Sequence, residues 1–115
     1  MMDNHERRFS ELWEELNKEW TEAKNPMGAT VELISYYRTL TPGARTLADA
    51  EIVDWLLSEN GDRRFDAMAL VREFRITGAV QNLITLAQDL RGRAGPEARY
   101  ELEKAEQILR WLDEP

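Results

Sequence analysis

One histidine, His5, is the only imidazole in this sequence, and there is no cysteine. A serine or cysteine nucleophile needs a base within hydrogen-bond reach, and structural zinc draws on several thiolates and imidazoles. His5 stands alone in the polar run from Met1 to Glu6 and reads as an exposed surface residue. No helical His-Glu-x-x-His pair, EF-hand loop or glycine-rich phosphate loop is written in the chain. The expectation is therefore no catalytic residue, no metal, no cofactor and no enzyme activity.

Carboxylates are the next candidates, since paired acids can hydrolyse glycosides or hold hard cations. They cluster as Glu11, Glu14, Glu15 and Glu19, and again as Glu101, Glu103 and Glu106. The first group points away from the apolar stripe that holds Trp13 and Trp20. Both groups read as solvated helix faces. Arg63, Arg64, Arg72 and Arg75, with Arg91, Arg93 and Arg99 further on, could form a phosphate-binding patch. Asp62, Asp66 and Glu73 interleave with the first four, which favours local pairing. The formal charge is −7, and its sign repels phosphate backbones, so a nucleic-acid partner is disfavoured and a basic protein partner is favoured.

Two polar faces remain as candidate partner-binding surfaces. Glu51, Asp54, Trp55 and Ser58 share one side of a helix, opposite Ile52, Val53 and Leu56. Gln81, Asn82, Thr85 and Asp89 do the same on a later helix. Amides and acids beside an aromatic are suitable chemistry for protein binding, and Trp55 at the rim would be an anchor.

These faces need helices to carry them, and the apolar residues recur with helical period. Phe9, Leu12, Trp13, Leu16 and Trp20 predict a first helix from Asp3 to Lys24, ended by Asn25-Pro26. Leu33, Tyr36, Tyr37 and Leu40 predict a second from Thr30, although Val31, Ile34, Tyr36 and Tyr37 would also suit a strand. Thr41-Pro42 reads as a fresh cap followed by proline at the first helical position, and Gly43 makes this a short or irregular turn. A third helix is expected from Asp49, with Ile52, Val53, Leu56 and Leu57 inward, stopped by Asn60-Gly61. Asp62 caps a fourth, with Ala67, Leu70, Val71 and Phe74 inward and Phe65 and Met68 nearby. After Thr77-Gly78 comes a fifth, with the stripe Val80, Leu83, Ile84, Ala87 and Leu90. Pro96 opens a sixth, carrying Leu102, Ala105, Ile108, Leu109 and Leu112. The fold class expected is all-α with about six helices, as one domain over 1–115. An amphipathic N-terminal helix over 1–26 would pack on a body over 28–113, and self-association through residues 3–24 stays open.

The stretch from Arg64 to Leu83 resembles a HEAT-like repeat, in which an A helix meets a B helix across a tight turn. Its Ala79-Val80-Gln81-Asn82-Leu83 matches the element that opens the B helix, and the likeness is best over residues 64–92. The resemblance implies a short HEAT-like α-solenoid, with a compact helical bundle as the alternative. It also implies a scaffold that holds other macromolecules on its B-helix surfaces.

The expected function is thus a protein–protein interaction module, an inhibitor or immunity-type protein or an adaptor. A small-ligand binder or accessory subunit with a pocket between helices is the alternative, followed by a HEAT-like nucleic-acid binder. The polar N-terminus and the lack of any run near 18 apolar residues make the cytoplasm the expected location and a membrane role unexpected.

Overall fold

A computed structural model describes residues 9–22 and 28–114, and the side chains of 9–19 and 28–114. His5, the Asn25-Pro26 turn and the Trp20 ring therefore lie outside the described residues, as does much of the 3–24 segment considered for self-association. Among the described residues the protein is all-α, with six helices and no strand: α1 (Phe9–Glu22), α2 (Gly28–Arg38), α3 (Pro42–Trp55), α4 (Gly61–Phe74), α5 (Val80–Arg91) and α6 (Pro96–Asp113). The contacts divide the chain into two units, 1–51 and 52–115, with the boundary inside α3.

In the first unit α1 packs on α2. The α1 stripe turns inward as its period requires: Phe9, Trp13 and Leu16 are buried, while Glu11, Glu14, Glu15, Lys18 and Glu19 are exposed. Leu33 and Tyr37 are the buried large residues of α2. The aromatic run that could have suited a strand is helical. Phe9 meets the Tyr37 ring edge-on at 6.5 Å and 90°, and the Tyr36 ring tilted at 6.0 Å. The edge-on pair is the favourable arrangement for ring quadrupoles. A carboxylate from α3 secures the first described turn of α1: Phe9 N–H donates to Glu51 Oε2 at 2.7 Å, and the Ser10 hydroxyl to Oε1 at 3.2 Å.

Thr41 and Pro42 open a helix as expected, but it is α3 itself, starting well before Asp49, and not a short or irregular turn. Thr41 acts as N-cap, its Oγ1 accepting the Ala44 N–H at 3.3 Å. Pro42 stands at the first helical position, where its missing N–H costs nothing. The far end of α3 also differs. Leu56, Leu57 and Ser58 donate to Val53, Asp54 and Trp55, three residues back. This tightened turn ends the helix before Asn60-Gly61 and leaves Leu57 half exposed. Asn60 starts the next helix. Its side chain accepts from the N–H groups of Asp62 (2.9 Å) and Arg63 (3.2 Å), which makes it, and not Asp62, the N-cap of α4.

The second unit is built around α6. It packs along α5 and against α4, and α4 and α5 approach each other less closely than either approaches α6. Ala105, Ile108 and Leu112 face inward from α6, as their spacing predicts. The buried arc of α5 is Leu83, Leu86, Ala87 and Leu90. Ile84 is at the surface instead, so the true face is rotated from the expected stripe. Gly95 holds φ +111 before Pro96, a conformation that side chains resist.

Between α4 and α5 stand Arg75 and Ile76 and a single 3-10 turn, Thr77–Ala79. Arg75 is left-handed at φ 51, ψ 57. The N–H groups of Arg75 and Ile76 both turn back to the Val71 carbonyl, and buried Ile76 completes a Schellman-type stop. A non-glycine residue in this region costs about 1 kcal/mol. Arg75→Gly is therefore expected to be more stable than Arg75→Ala by about 1 kcal/mol in urea denaturation. Both variants lose the stacking of Arg75 on the Trp111 ring (5.0 Å), so their difference isolates the backbone. An alanine variant as stable as the glycine one would contradict the cap.

Candidate docking groove

The two polar faces expected from sequence are partly open and partly engaged within the chain. Glu51 is half-buried and engaged by Phe9 and Ser10. Trp55 is only 3% exposed, with the Arg63 guanidinium 5.8 Å from its ring, so it is not a rim residue. Ser58 is half-buried, and its hydroxyl accepts the Asn60 N–H at 3.1 Å. Asn82 is half-buried and donates to the Val53 carbonyl at 2.9 Å. Asp54, Gln81, Thr85 and Asp89 are exposed. Of these, Thr85 donates to the Gln81 carbonyl and Asp89 pairs with Arg93 at 2.7 Å.

Several of the arginines have intrachain partners. Arg64 is buried and grips Glu101 through two parallel bonds, Nε to Oε2 at 2.6 Å and Nη2 to Oε1 at 3.0 Å. Its Nη1 donates to the Ser58 carbonyl at 2.8 Å. Hydrogen bonding to Glu101 outweighs burial and holds the Arg64 guanidinium above its ordinary pKa. Arg91 pairs with Glu106 at 3.1 Å. Of the carboxylates expected at the surface of α6, only Glu103 is exposed; Glu101 and Glu106 are half-buried.

The Arg64–Glu101 fork joins the first halves of α4 and α6, and beside it the two helices leave an open groove of ≈ 530 Å3. Gly61, Asp62, Phe65 and Met68 line it from α4; Pro96, Glu97, Tyr100, Glu101 and Lys104 line it from α6. The spacing on each helix is that of one face. Met68 is buried at its base, Phe65 is half-buried, and Tyr100 is 60% exposed. The Lys104 ammonium lies 4.8 Å from the Phe65 ring centroid and 5.4 Å from that of Tyr100, inside the range of cation–π attraction. Asp62 and Glu97 stand in the first turns of α4 and α6. Sequence reasoning noted Phe65 and Met68 only as flanking the core. The available signal was Tyr100 beside Glu97, Glu101 and Lys104 on successive turns.

The first unit holds a second polar cluster. The Tyr37 hydroxyl donates to Asp49 Oδ1 at 2.6 Å, the Arg45 guanidinium lies 5.3 Å from the Tyr37 ring, and Arg45 Nη2 donates to the Arg38 carbonyl. Burial first, and then the bond to Asp49, push the Tyr37 hydroxyl well above the ordinary tyrosine range. A raised pKa means that the folded chain holds this proton more tightly than the unfolded one. The associated stability is present below about pH 10 and is lost as pH rises above it, with a slope approaching about 1.4 kcal/mol per unit. Urea denaturation across pH 9 to 11.5 is expected to show a steeper loss for the wild type than for Tyr37→Phe. Equal slopes would contradict the assignment.

Among the described residues no three His, Cys, Asp or Glu side chains converge as a metal site, and no helix is long and apolar enough to cross a membrane. What the fold defines is a class, the all-α proteins, with six helices among the described residues and an aromatic-lined groove in the second unit. In comparisons with family models, curated proteins and solved structures, the chain has no significant match to any of them.

Proposed function

We propose that this chain is a non-enzymatic interaction module whose working surface is the α4/α6 groove, and that its partner is a protein. The observation that carries this reading is Tyr100, a large aromatic left 60% exposed on the wall of a groove whose other lining is largely apolar. Exposed aromatics beside a pocket are the usual anchors of protein interfaces. The net charge of −7 favours encounter with a basic partner, which fits an inhibitor or adaptor role. The cysteine-free composition fits a reducing compartment such as the cytoplasm.

The HEAT-like reading of the fold is kept as part of this proposal. The short link between α4 and α5 supports it; the closer packing of both helices on α6 suits a plain bundle as well. Either architecture presents the same groove.

Affinity capture from the native host tests the proposal, with Tyr100→Ala as the paired control. The substitution alters an exposed side chain, so the fold is expected to survive it. A protein held by the wild type and lost with Tyr100→Ala supports the groove. Identical proteins held by both would remove it.

A small-ligand binder is the second reading, favoured by the groove volume, which falls within the roughly 300–1,000 Å3 of ligand pockets. It predicts that a small molecule alone moves the Tyr100 ring resonances.

A further inference from the structure

We propose that the α4/α6 groove is a cation site, filled in the free protein by Lys104 and built to take a lysine or arginine side chain from a basic segment of the partner. The inference rests on the groove being the interaction surface and names what that surface recognises.

The evidence is the seating of one ammonium between two rings. Lys104 is half-buried on α6, with a flexible four-carbon stem able to carry its charge out to water. It is instead placed over both Phe65 and Tyr100, at 4.8 and 5.4 Å. Two π-faces converging on one point attract any cation that reaches it. The chain's own ammonium shows that a cation of this size fits between them.

The charges around the rings agree. With Lys104 swung out to solvent, Asp62 and Glu97 leave two full negative charges at the groove. Glu101 is neutralised by Arg64. The N-termini of α4 and α6 offset about half a charge each, so the emptied groove stays negative. An entering cation meets the same rings and the same acids, while the apolar stem beside its charge covers exposed Pro96. Lys104 acts as a resident competitor that raises the threshold for weak binders.

The test is fluorescence anisotropy with the full chain. The probe is a labelled six-residue peptide of alternating arginine and leucine, and a glutamate–leucine peptide is the control. Lys104→Gln removes the competitor while keeping its stem, and is expected to tighten the arginine peptide about tenfold. Arg110→Gln removes one charge from an exposed position on the last turn of α6, and is expected to change binding less than twofold. Tyr100→Ala is expected to abolish it, and the glutamate peptide is expected not to bind. An unchanged or weaker Kd in Lys104→Gln, equal tightening in Arg110→Gln, or binding of the glutamate peptide would each overturn the cation site. Failure to capture a native partner would sink the proposed function but leave this titration readable. Capture that depends on Tyr100 together with indifference to Lys104 would sink only the cation site.

Discussion

Arg64→Ala is expected to lower the stability of the chain by about 3 kcal/mol, at the lower end of what breaking a buried ion pair costs. Three interactions go at once: the fork to Glu101 and the bond to the Ser58 carbonyl. Glu101 is left facing an empty site with its side chain 18% exposed, enough contact with water to keep the loss from being larger. Arg64→Lys is expected to recover little, because an ammonium cannot make the two parallel bonds. Replacing both partners by leucine is expected to return most of the lost stability, since no buried charge is then stranded. Urea denaturation of the two single variants and the double variant measures this. The α4/α6 joint would have to be reconsidered if Arg64→Ala cost less than about 1 kcal/mol.

A comparable loss, about 3 kcal/mol, is expected for Leu86→Ala, against less than about 1 kcal/mol for Ile84→Ala. Leu86 is 3% exposed and Ile84 is 37% exposed, although they are two residues apart on α5. The contrast reports on the rotation of that helix. A costly Ile84→Ala with a mild Leu86→Ala would mean that the α5 face assigned from periodicity was the right one.

The helices of this protein are written in its sequence because each buried stripe repeats with the turn of the helix. The Phe9-Trp13-Leu16 and Ala105-Ile108-Leu112 faces could be read directly. Boundaries were harder, and for identifiable reasons. Thr41-Pro42-Gly43 looks like a break, yet proline and threonine are also the residues that open a helix. Asn60 suits either end of a helix, because its short amide can accept from the N–H groups of a first turn or tolerate the left-handed conformation. On α5, Leu83, Ile84, Leu86 and Leu90 offer two overlapping stripes, and only packing against α6 selects one.

The groove was less visible than the fold. Phe65 and Tyr100 lie far apart in sequence, and neither belongs to a recognisable motif. Arg64 stands among like charges in sequence, while its partner, Glu101, sits on another helix. Trp55 was expected at the rim because the helical wheel places it opposite Ile52 and Val53. Its burial could not be read from that wheel, since it stands at the last residue of α3, where the helix gives way to a tightened turn.

Everything proposed for function depends on α4 and α6 bringing Phe65, Tyr100 and Lys104 together. Two-dimensional NMR of the labelled full chain tests this most directly. The Lys104 ε-methylene protons are expected upfield of their position in an unstructured chain, shifted by the ring currents of both aromatics, with cross-peaks to the Phe65 and Tyr100 ring protons. Unshifted ε-protons with no cross-peak to either ring would contradict it.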